Sequence, residues 1–253
     1  MTDALHVVFD SIPFRGYDDQ KEFGYWIGQR GWEGWDTPPA QRAEIIDRAN
    51  SHGTYDALQW FDAREVTQKG FFRGSSEYDL VKRSDQLAAT QDGSLRAISV
   101  KFGGVTRYAE TRRGLSTPSI ELSSDGLLHV GEYEIVHRMS DPRKYGTEAT
   151  LPATGAAISI DVFHRGNFPA SPLIEIPSAP SAYTVTCPGG TFTVTGATPG
   201  GTHRVDLRRA RVYRDGVEMP GVGTGDLWNV PANTIWTHVL SVPGRVRIRD
   251  TWV

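Results

Sequence analysis

Cysteine is nearly absent from this chain of 253 residues, in which Cys187 is the only one. A single cysteine excludes an intrachain disulfide and the cysteine clusters that bind zinc, so a disulfide-stapled secreted module is ruled out. An excess of one charge is lacking too, since the net charge is −3 and the isoelectric point is about 6.2. The sequence therefore predicts no general affinity for nucleic acid or acidic membranes.

Long apolar runs are also missing. No stretch approaches the roughly 20 apolar residues of a membrane-spanning helix. Residues 1–8 have neither the basic start nor the apolar run of a signal peptide. We therefore expect no membrane segment, and any export would need another route, such as release by cell lysis.

The chain is rich in short runs that alternate apolar and polar residues, separated by glycine, proline, aspartate and serine. This period of two is typical of β-strands. In the first half it predicts strands at residues 5–9, 23–27, 100–102, 120–122 and 127–139. In the second half it predicts strands at residues 158–162, 174–176, 183–187, 192–194 and 205–207.

The C-terminal segment carries two predicted turns and the clearest strand. Asp215-Gly216 is typical of a tight hairpin turn, and Pro243-Gly244 predicts a second turn. After it, alternation predicts that Val246, Ile248 and Trp252 face one way, and that Arg245, Arg247, Arg249 and Thr251 face the other.

Two segments favour helices over strands. Thr37-Pro38 fits an N-cap followed by a first-turn proline, with an apolar stripe at Ile45, Ile46 and Ala49 before Gly53. Ser76, with Asp79 three residues later, resembles a capping box, and Leu80, Val81, Leu87 and Ala88 are predicted to share one side of the helix that follows.

A break at residues 141–155 divides the chain into two predicted domains, residues 1–147 and 148–253. We expect a mostly β fold: a first domain of strands with one or two helices, and a second domain that is almost purely β. The strand spacing in the second domain predicts a sandwich of about a hundred residues.

Residue patterns that carry chemistry are scarce. The nucleophile-elbow pattern Gly-x-Ser-x-Gly does not occur. Residues 221–225 lack the spacing of a dinucleotide fingerprint and the lysine of a phosphate loop, so we interpret them as a glycine loop between strands. His129 and His137 are too far apart to meet on one strand. We therefore predict no catalytic residue, no metal site and no cofactor.

Two groups of residues leave alternatives open. Glu132 and Glu134 share a strand face, and paired carboxylates perform glycoside hydrolysis, but charges that alternate along a strand usually mark its solvated face. Trp26, Trp32 and Trp35 lie among glycines, where they either form an interface or fill the base of the first domain. We favour an interface for at least one of the three.

The second predicted domain contains nine arginines and no lysine. Arginine binds carboxylates through two parallel hydrogen bonds, so this composition favours interface contacts over a diffuse phosphate-binding surface. A genomic bias in codon usage would give the same composition.

Several segments, taken in order, resemble one known family. Residues 34–36 and 51–53 match its early segment, and a strand with Arg64 and Val66 leads to Gly70 and the Ser76 helix. Asp141, Pro142 and Tyr145 match the Asp-Pro-x-x-Tyr that closes its first domain. The C-terminal matches are Asp215-Gly216, Trp228, Pro231, residues 233–235 and the alternating strand that ends at Trp252. Two features depart from the family: Ala232 replaces a common glycine, and the Arg64 strand is unusually polar.

The family is the distal tail (Dit) proteins of siphophages, which are tail-tip or baseplate adaptors. The resemblance implies an N-terminal β-sandwich with a helix that forms a homohexameric ring, and a C-terminal galectin-like β-sandwich. It implies a structural, non-enzymatic protein at the distal end of the phage tail, assembled in the host cytoplasm. The ring would join the tail tube to the tail-tip hub, contact a receptor-binding protein or host glycan, and let genomic DNA pass without specific binding.

Two other functions remain as alternatives. A carbohydrate-binding β-sandwich that adheres to the host surface is suggested by the galectin-like fold and the aromatic loops, although such a fold does not by itself imply sugar binding. A glycoside hydrolase using Glu132 and Glu134 is the third alternative.

Overall fold

The computed structural model describes residues 5–17, 23–56, 58–123 and 129–253. It divides into two compact units: the described residues up to Lys144 together with Val253, and Tyr145–Trp252. The division lies three residues before the boundary predicted from the sequence. Each unit buries its own apolar core.

The first unit is built from ten strands and one helix among the described residues. The strands are β1 (His6–Phe9), β2 (Ile12–Arg15), β3 (Gly24–Glu33), β4 (Gln41–Ala43), β5 (Gln59–Phe61), β6 (Arg64–Arg73), β7 (Arg96–Phe102), β8 (Val105–Arg113), β9 (Ser119–Leu122) and β10 (Val130–Met139), and the helix is α1 (Glu77–Ala89).

Strand pairing in the first unit closes on itself. β10 pairs with β6, β6 with β3, β3 with β2, β2 with β1, β1 with β7, β7 with β8, and β8 again with β10. The β2–β3 pair is parallel and the others are antiparallel. The strands therefore form a barrel around the core, and the sandwich arrangement implied by the resemblance stays a prediction.

Helix α1 packs against this barrel. Ser76 is its N-cap, and the Ser76 Oγ accepts a hydrogen bond from the Asp79 N–H at 3.2 Å, as predicted. Leu80 and Leu87 are buried, but Val81 and Ala88 are exposed, so the predicted apolar side is narrower than expected.

A polar chain runs through the core of the first unit. His137 Nε2 lies 2.8 Å from Gln68 Oε1, Gln68 Nε2 donates to the Tyr133 hydroxyl, and that hydroxyl donates to the Trp26 carbonyl. Gly70 permits this approach, because a Cβ there would lie 1.9 Å from the Trp26 oxygen. Gln68, one of the polar residues of the Arg64 strand, therefore gives the buried His137 a hydrogen-bond partner and links it to the Tyr133 hydroxyl.

The second unit is all β among its described residues. Its strands are β11 (Lys144–Leu151), β12 (Ala157–His164), β13 (Leu173–Ile176), β14 (Tyr183–Cys187), β15 (Gly190–Val194), β16 (His203–Asp206), β17 (Arg211–Arg214), β18 (Val217–Glu218), β19 (Gly223–Gly225) and β20 (Thr234–Trp252).

Strand β20 joins two groups of strands around one core. Its first half pairs with β12 and β14, and β14 continues to β15 and β19. Its second half pairs with β13, which continues to β16, β17 and β18. Both groups bury apolar side chains in the same cluster, including Val162, Val185, Val205 and Val246.

Most predicted strands are found, with three corrections. Residues 37–53 form no helix; they contain β4 and an isolated bridge between Asp47 and Thr54. Pro243-Gly244 is no turn, because β20 continues through it while its pairing partner changes. At the end of β20 the predicted alternation fails: Thr251, predicted to face away from Val246 and Ile248, is buried, and Trp252, predicted to face with them, is half-buried. Residues 127 and 128 of the predicted long strand lie outside the described residues.

Acid should destabilise the first unit through His137. Burial lowers its pKa from 6.5 to about 3. The unfolded chain binds a proton below about pH 6.5 while the folded chain does not until about pH 3, so stability is complete above 6.5 and falls as the pH falls through this window. We expect a loss of up to roughly 5 kcal/mol by pH 3.

Urea unfolding of the wild type and of His137→Gln between pH 7 and pH 4 measures this effect. The variant keeps an N–H donor for Gln68 but cannot titrate, so its stability should depend less on pH than that of the wild type. Equal pH dependence in the two proteins would assign the acid sensitivity to other groups.

Candidate interface: an exposed arm and its buried anchor

A two-stranded hairpin, which we call the arm (residues 40–62), projects from the first unit. Gln41 pairs with Phe61 and Ala43 with Gln59, and β4 and β5 pair with no other described strand. Toward the tip, the Tyr55 N–H donates to the Ile46 carbonyl at 2.9 Å. The predicted first helix is wrong because these backbone groups bond across the hairpin and not along a helix.

Every described residue from 40 to 60 is exposed, including large apolar side chains. These side chains are Ile45 (74% exposed), Ile46, Tyr55, Leu58 (77% exposed) and Trp60. An isolated hairpin is marginally stable in water, and a contiguous exposed apolar patch marks an interaction site. The arm is therefore the strongest candidate interface in the first unit.

The base of the arm is held by Arg64, a buried cation at the start of β6. Its Nη1 donates to the carbonyls of Gly34, Trp35 and Thr37, the first two at 2.9 and 2.8 Å. Its Nε donates to the Pro142 carbonyl at 3.0 Å. The guanidinium thus ties the segment before the arm to the segment after β10.

Lys144 adds a second buried cation at the same place. Its Nζ donates to the Trp35 carbonyl at 2.8 Å and lies 5.4 Å from the centre of the Trp35 ring. Burial, with a smaller contribution from the Arg64 charge, lowers the pKa of Lys144 to about 8. The Asp36 carboxylate, 3.8 Å away, acts in the opposite direction.

The Asp-Pro-x-x-Tyr residues shape the turn that presents the Pro142 carbonyl. The Asp141 carboxylate accepts two hydrogen bonds from the Arg143 guanidinium, each 2.7 Å, and one from the Arg143 backbone N–H. Tyr145, two residues after Arg143, is half-buried and is the first residue of the second unit. The motif predicted from the sequence therefore contributes directly to the anchor of the arm.

The three candidate tryptophans differ in exposure. Trp26 and Trp35 are buried, and Trp26 stacks on Phe71 at 5.3 Å. Trp32 is half-buried, 5.8 Å from the Trp35 ring. Trp26 and Trp35 thus fill the first unit, as the alternative interpretation proposed, and Trp32 alone of the three keeps surface for the predicted interface.

Trp32 lines a groove of about 780 Å³ on the first unit. Its apolar wall includes Ile27, Val100, Phe102 and Val105, and Phe102 and Val105 are themselves exposed. The rest of the lining is largely polar and includes charged side chains, so the first unit carries an exposed apolar projection and a concavity that is only partly apolar.

Glu132 and Glu134 lie on the solvated side of β10. Glu134 forms an ion pair with Lys69 at 3.1 Å, both side chains being about half exposed, and Glu132 lies directly opposite Glu121 of β9. These surroundings match a solvated sheet face better than a catalytic pair, which needs carboxylates held in different environments.

The motif residues of the second unit are structural. The buried Trp228 donates from Nε1 to His238 Nε2 at 3.2 Å, and the Pro231 carbonyl accepts from the Thr234 hydroxyl at 2.7 Å. Asn233 has a positive φ of 53°, whereas Ala232 does not, so alanine fits where the family often has glycine. Trp252 packs against the space left by Gly146.

The arginines of the second unit bind carboxylates of the same unit. Arg247 contacts Glu148 and Glu175, Arg204 also contacts Glu175, and Arg211 contacts Glu218 at 2.6 Å. The arginine–carboxylate pairing expected from the composition is present, but it joins strands within the unit, and both Arg247 hydrogen bonds to Glu148 go to one carboxylate oxygen.

The structure also bears on the glycine loop, on metal sites and on membrane-spanning helices. Residues 223–225 of the glycine loop form β19 and pair with β15. Within the described ranges, no group of histidine, cysteine, aspartate and glutamate is arranged to hold a metal ion. No helix in the described part of the chain is long and apolar enough to cross a membrane.

The comparisons with known proteins identify the fold of this chain. No family model matches the chain, and no curated protein matches it. Solved structures do: the chain has the fold of phage hub and baseplate proteins. Among these, the Dit (gp 19.1) protein of phage SPP1, described as a paradigm of the hub adsorption apparatus in phages that infect Gram-positive bacteria, superposes with a TM-score of 0.70 at 15% identity, covering 98% of this chain and 99% of that chain.

Two baseplate structures of phage P2, in the activated conformation, are also similar. The one with Ca has a TM-score of 0.54 at 7% identity and covers 100% of this chain and 99% of that chain. The one with Sr has a TM-score of 0.53 at 7% identity and covers 97% of both. The resemblance to distal tail proteins, made from scattered motifs, is thus confirmed at the level of the fold.

The arm is the candidate interface that the sequence did not predict. Its signal was Pro38-Pro39, since a residue before proline is disfavoured in helical conformation. The apolar residues Ile45 and Ile46 were interpreted as a buried stripe, but no other element of the unit covers them.

Replacing Arg64 should loosen the base of the arm. Arg64→Met keeps apolar length but removes the donor to the Gly34, Thr37 and Pro142 carbonyls and one of the two donors to the Trp35 carbonyl, so we expect the free energy of unfolding to fall by about 3 kcal/mol. Hydrogen exchange of residues 34–37 should also accelerate.

Arg42→Met is the matched control, because Arg42 lies on the arm in an exposed ion pair with Asp62 and should change stability by no more than about 0.5 kcal/mol. Equal effects of the two substitutions in thermal and urea unfolding would contradict the role given to Arg64.

Proposed function

We propose that this protein is a structural, non-enzymatic virion protein at the distal end of a siphophage tail, where it forms a hexameric ring. The observation that carries the proposal is the similarity to the SPP1 Dit protein, which extends over nearly the full length of both chains and so includes both units. A shared single domain would say far less, because one fold serves many functions.

The ring would be closed by the first unit. The arm is a projection with exposed apolar side chains, and the groove on the same unit is a concavity with an apolar wall at Phe102 and Val105 beside polar and charged residues. A projection on one copy that fits a concavity on the next is a heterologous contact, which closes into a ring when the rotation allows. We propose that the arm of each copy, through Leu58 and Trp60, occupies the groove of its neighbour.

The proposed tail-tip role also assigns a part to each domain and to the ring. Residues 1–147 would be the ring-forming domain, and residues 148–253 a galectin-like sandwich around the core of the second unit. The ring would join the tail tube to the tail-tip hub and host-recognition apparatus and let the genome pass. Assembly would take place in the host cytoplasm.

The sugar-binding alternative depended partly on exposed aromatic residues in the loops. Trp26 and Trp35 are buried and unavailable to stack on a sugar. We therefore propose no second function.

The molar mass of the purified protein across a range of concentrations, with negative-stain electron microscopy, tests the ring. We expect a mass of six chains and particles with a central hole. A monomer at every concentration would contradict unaided ring formation.

Paired variants test which surfaces close the ring. Trp60→Lys removes the projection and Phe102→Lys the concavity, so each variant alone should fail to form rings. A mixture of the two should stop at dimers, because each pair has one intact arm and one intact groove. Leu115→Lys, at another exposed apolar residue of the same unit, should keep the ring. Rings from either interface variant would contradict this assignment.

A further inference from the structure

The arm carries more negative than positive charge. Residues 40–62 contain four carboxylates and two arginines, which gives the arm a formal charge of −2. Both arginines are engaged within the arm: Arg42 forms an ion pair with Asp62 at 3.7 Å, and the Arg48 guanidinium lies 5.6 Å from the centre of the Tyr55 ring. The charges that the arm leaves without a partner of its own are therefore negative.

Glu44 is an unpaired carboxylate beside the apolar side chains of the arm. Arg42 lies directly opposite Trp60, and Glu44, two residues after Arg42, borders the same surface as Trp60. Glu44 is exposed and forms no ion pair with any residue that the structure describes. A surface that binds Trp60 would therefore also meet a negative charge.

The polar part of the groove supplies cations. Arg30 and Arg107 line the groove together with the apolar wall at Phe102 and Val105. Arg107 already lies 4.0 Å from the Asp36 carboxylate. Arg30 is exposed, and within the described part of the chain it takes part in no ion pair. The groove thus presents one unpaired cation beside an apolar wall.

A bulge in β3 presents Arg30 at the groove. The pairing of β3 with β6 is interrupted between Ile27 and Trp32, and Arg30 lies inside this interruption. Gly31 permits the close approach of the two strands, because a Cβ there would lie 1.9 Å from the Lys69 carbonyl oxygen. A bulge bends its strand and redirects side chains. Arg30 is therefore outside the regular strand ladder.

Carboxylates of the same unit do not occupy Arg30. Arg30 also borders a second concavity, which Glu121, Glu132 and Glu134 help to line. Glu134 is bound by Lys69 at 3.1 Å, and neither of the other two forms an ion pair with Arg30. The guanidinium can therefore accept a carboxylate that arrives from another chain.

We propose that Glu44 of one copy binds Arg30 of the next copy when the arm enters the groove. This proposal rests on the arm-and-groove contact proposed above. Leu58 and Trp60 would supply apolar contact with the Phe102 wall, and the ion pair would fix the orientation of the arm, since a reversed or shifted arm would leave both charges beside apolar atoms. Complementary charges at an interface contribute mainly specificity.

Charge reversal in the full chain tests the pair. Arg30→Glu and Glu44→Arg each place two like charges in every contact of the ring. We expect either variant to raise the protein concentration at which half of the chains are hexameric by at least about tenfold. The double variant restores opposite charges and should return to within about threefold of the wild type. Sedimentation velocity over a range of concentrations measures these values.

Arg113→Glu is the matched control. It makes the same change of charge at an exposed residue of β8 that does not line the groove, so hexamer formation should be unchanged. Thermal unfolding of each variant separates a loss of assembly from a loss of folding.

Cross-linking locates the two residues without reversing a charge. Chains with Glu44→Cys and chains with Arg30→Cys are mixed, treated with a short bismaleimide and analysed by mass spectrometry. We expect a link between the two introduced thiols in the mixture and little product from either variant alone. The native Cys187 is buried and should not react.

The outcomes distinguish the pair from the ring. Hexamers that form as in the wild type after either reversal, weakening that the double variant does not relieve, or mixed rings without the link would overturn the Glu44–Arg30 pair and leave the ring intact. A wild-type protein that is monomeric at every concentration would refute unaided ring formation, and the pair with it. If a reversal unfolds the protein, the cross-link decides.

Discussion

The Arg64 guanidinium links the two segments that follow β3 and β10, the strands that pair with β6 on either side. It donates to carbonyls on the segment that leads into the arm and to Pro142 on the turn that follows β10. Burying a guanidinium costs free energy unless its N–H groups donate hydrogen bonds. The carbonyls that accept from Arg64 are therefore held close together. Lys144 reinforces the constraint by binding the Trp35 carbonyl from the other side. An arm that nothing covers is thus given a rigid base.

This arrangement explains why exposed apolar surface can coexist with a well-packed unit. The core, the polar chain through His137 and Gln68, and the anchored base are complete without the arm. The apolar side chains of the arm are therefore not needed for the packing of the first unit and can contact a partner. In the second unit, Arg247 and Arg211 are likewise bound by carboxylates of the same unit.

Much of the fold could be predicted from residue patterns. The alternation of Tyr133, Ile135, His137 and Met139 placed the buried face of β10 correctly, because a strand with one buried face must repeat every two residues. Asp215-Gly216 forms the predicted hairpin turn, with both residues at positive φ. The apolar stripe in residues 37–53 led to the wrong prediction of a helix, because such a stripe is buried only where another element of the fold covers it.

The sequence by itself therefore determined the strands, the N-cap of α1 and the mostly β class, since these depend on neighbours within a few residues along the chain. The tertiary structure alone decided that Arg64 and Gln68 are buried, that Trp26 and Trp35 are core, that β20 runs through Pro243-Gly244, and that the arm is free. The physical reason is that burial and pairing depend on which distant segments arrive beside a residue, and local periodicity carries no information about that.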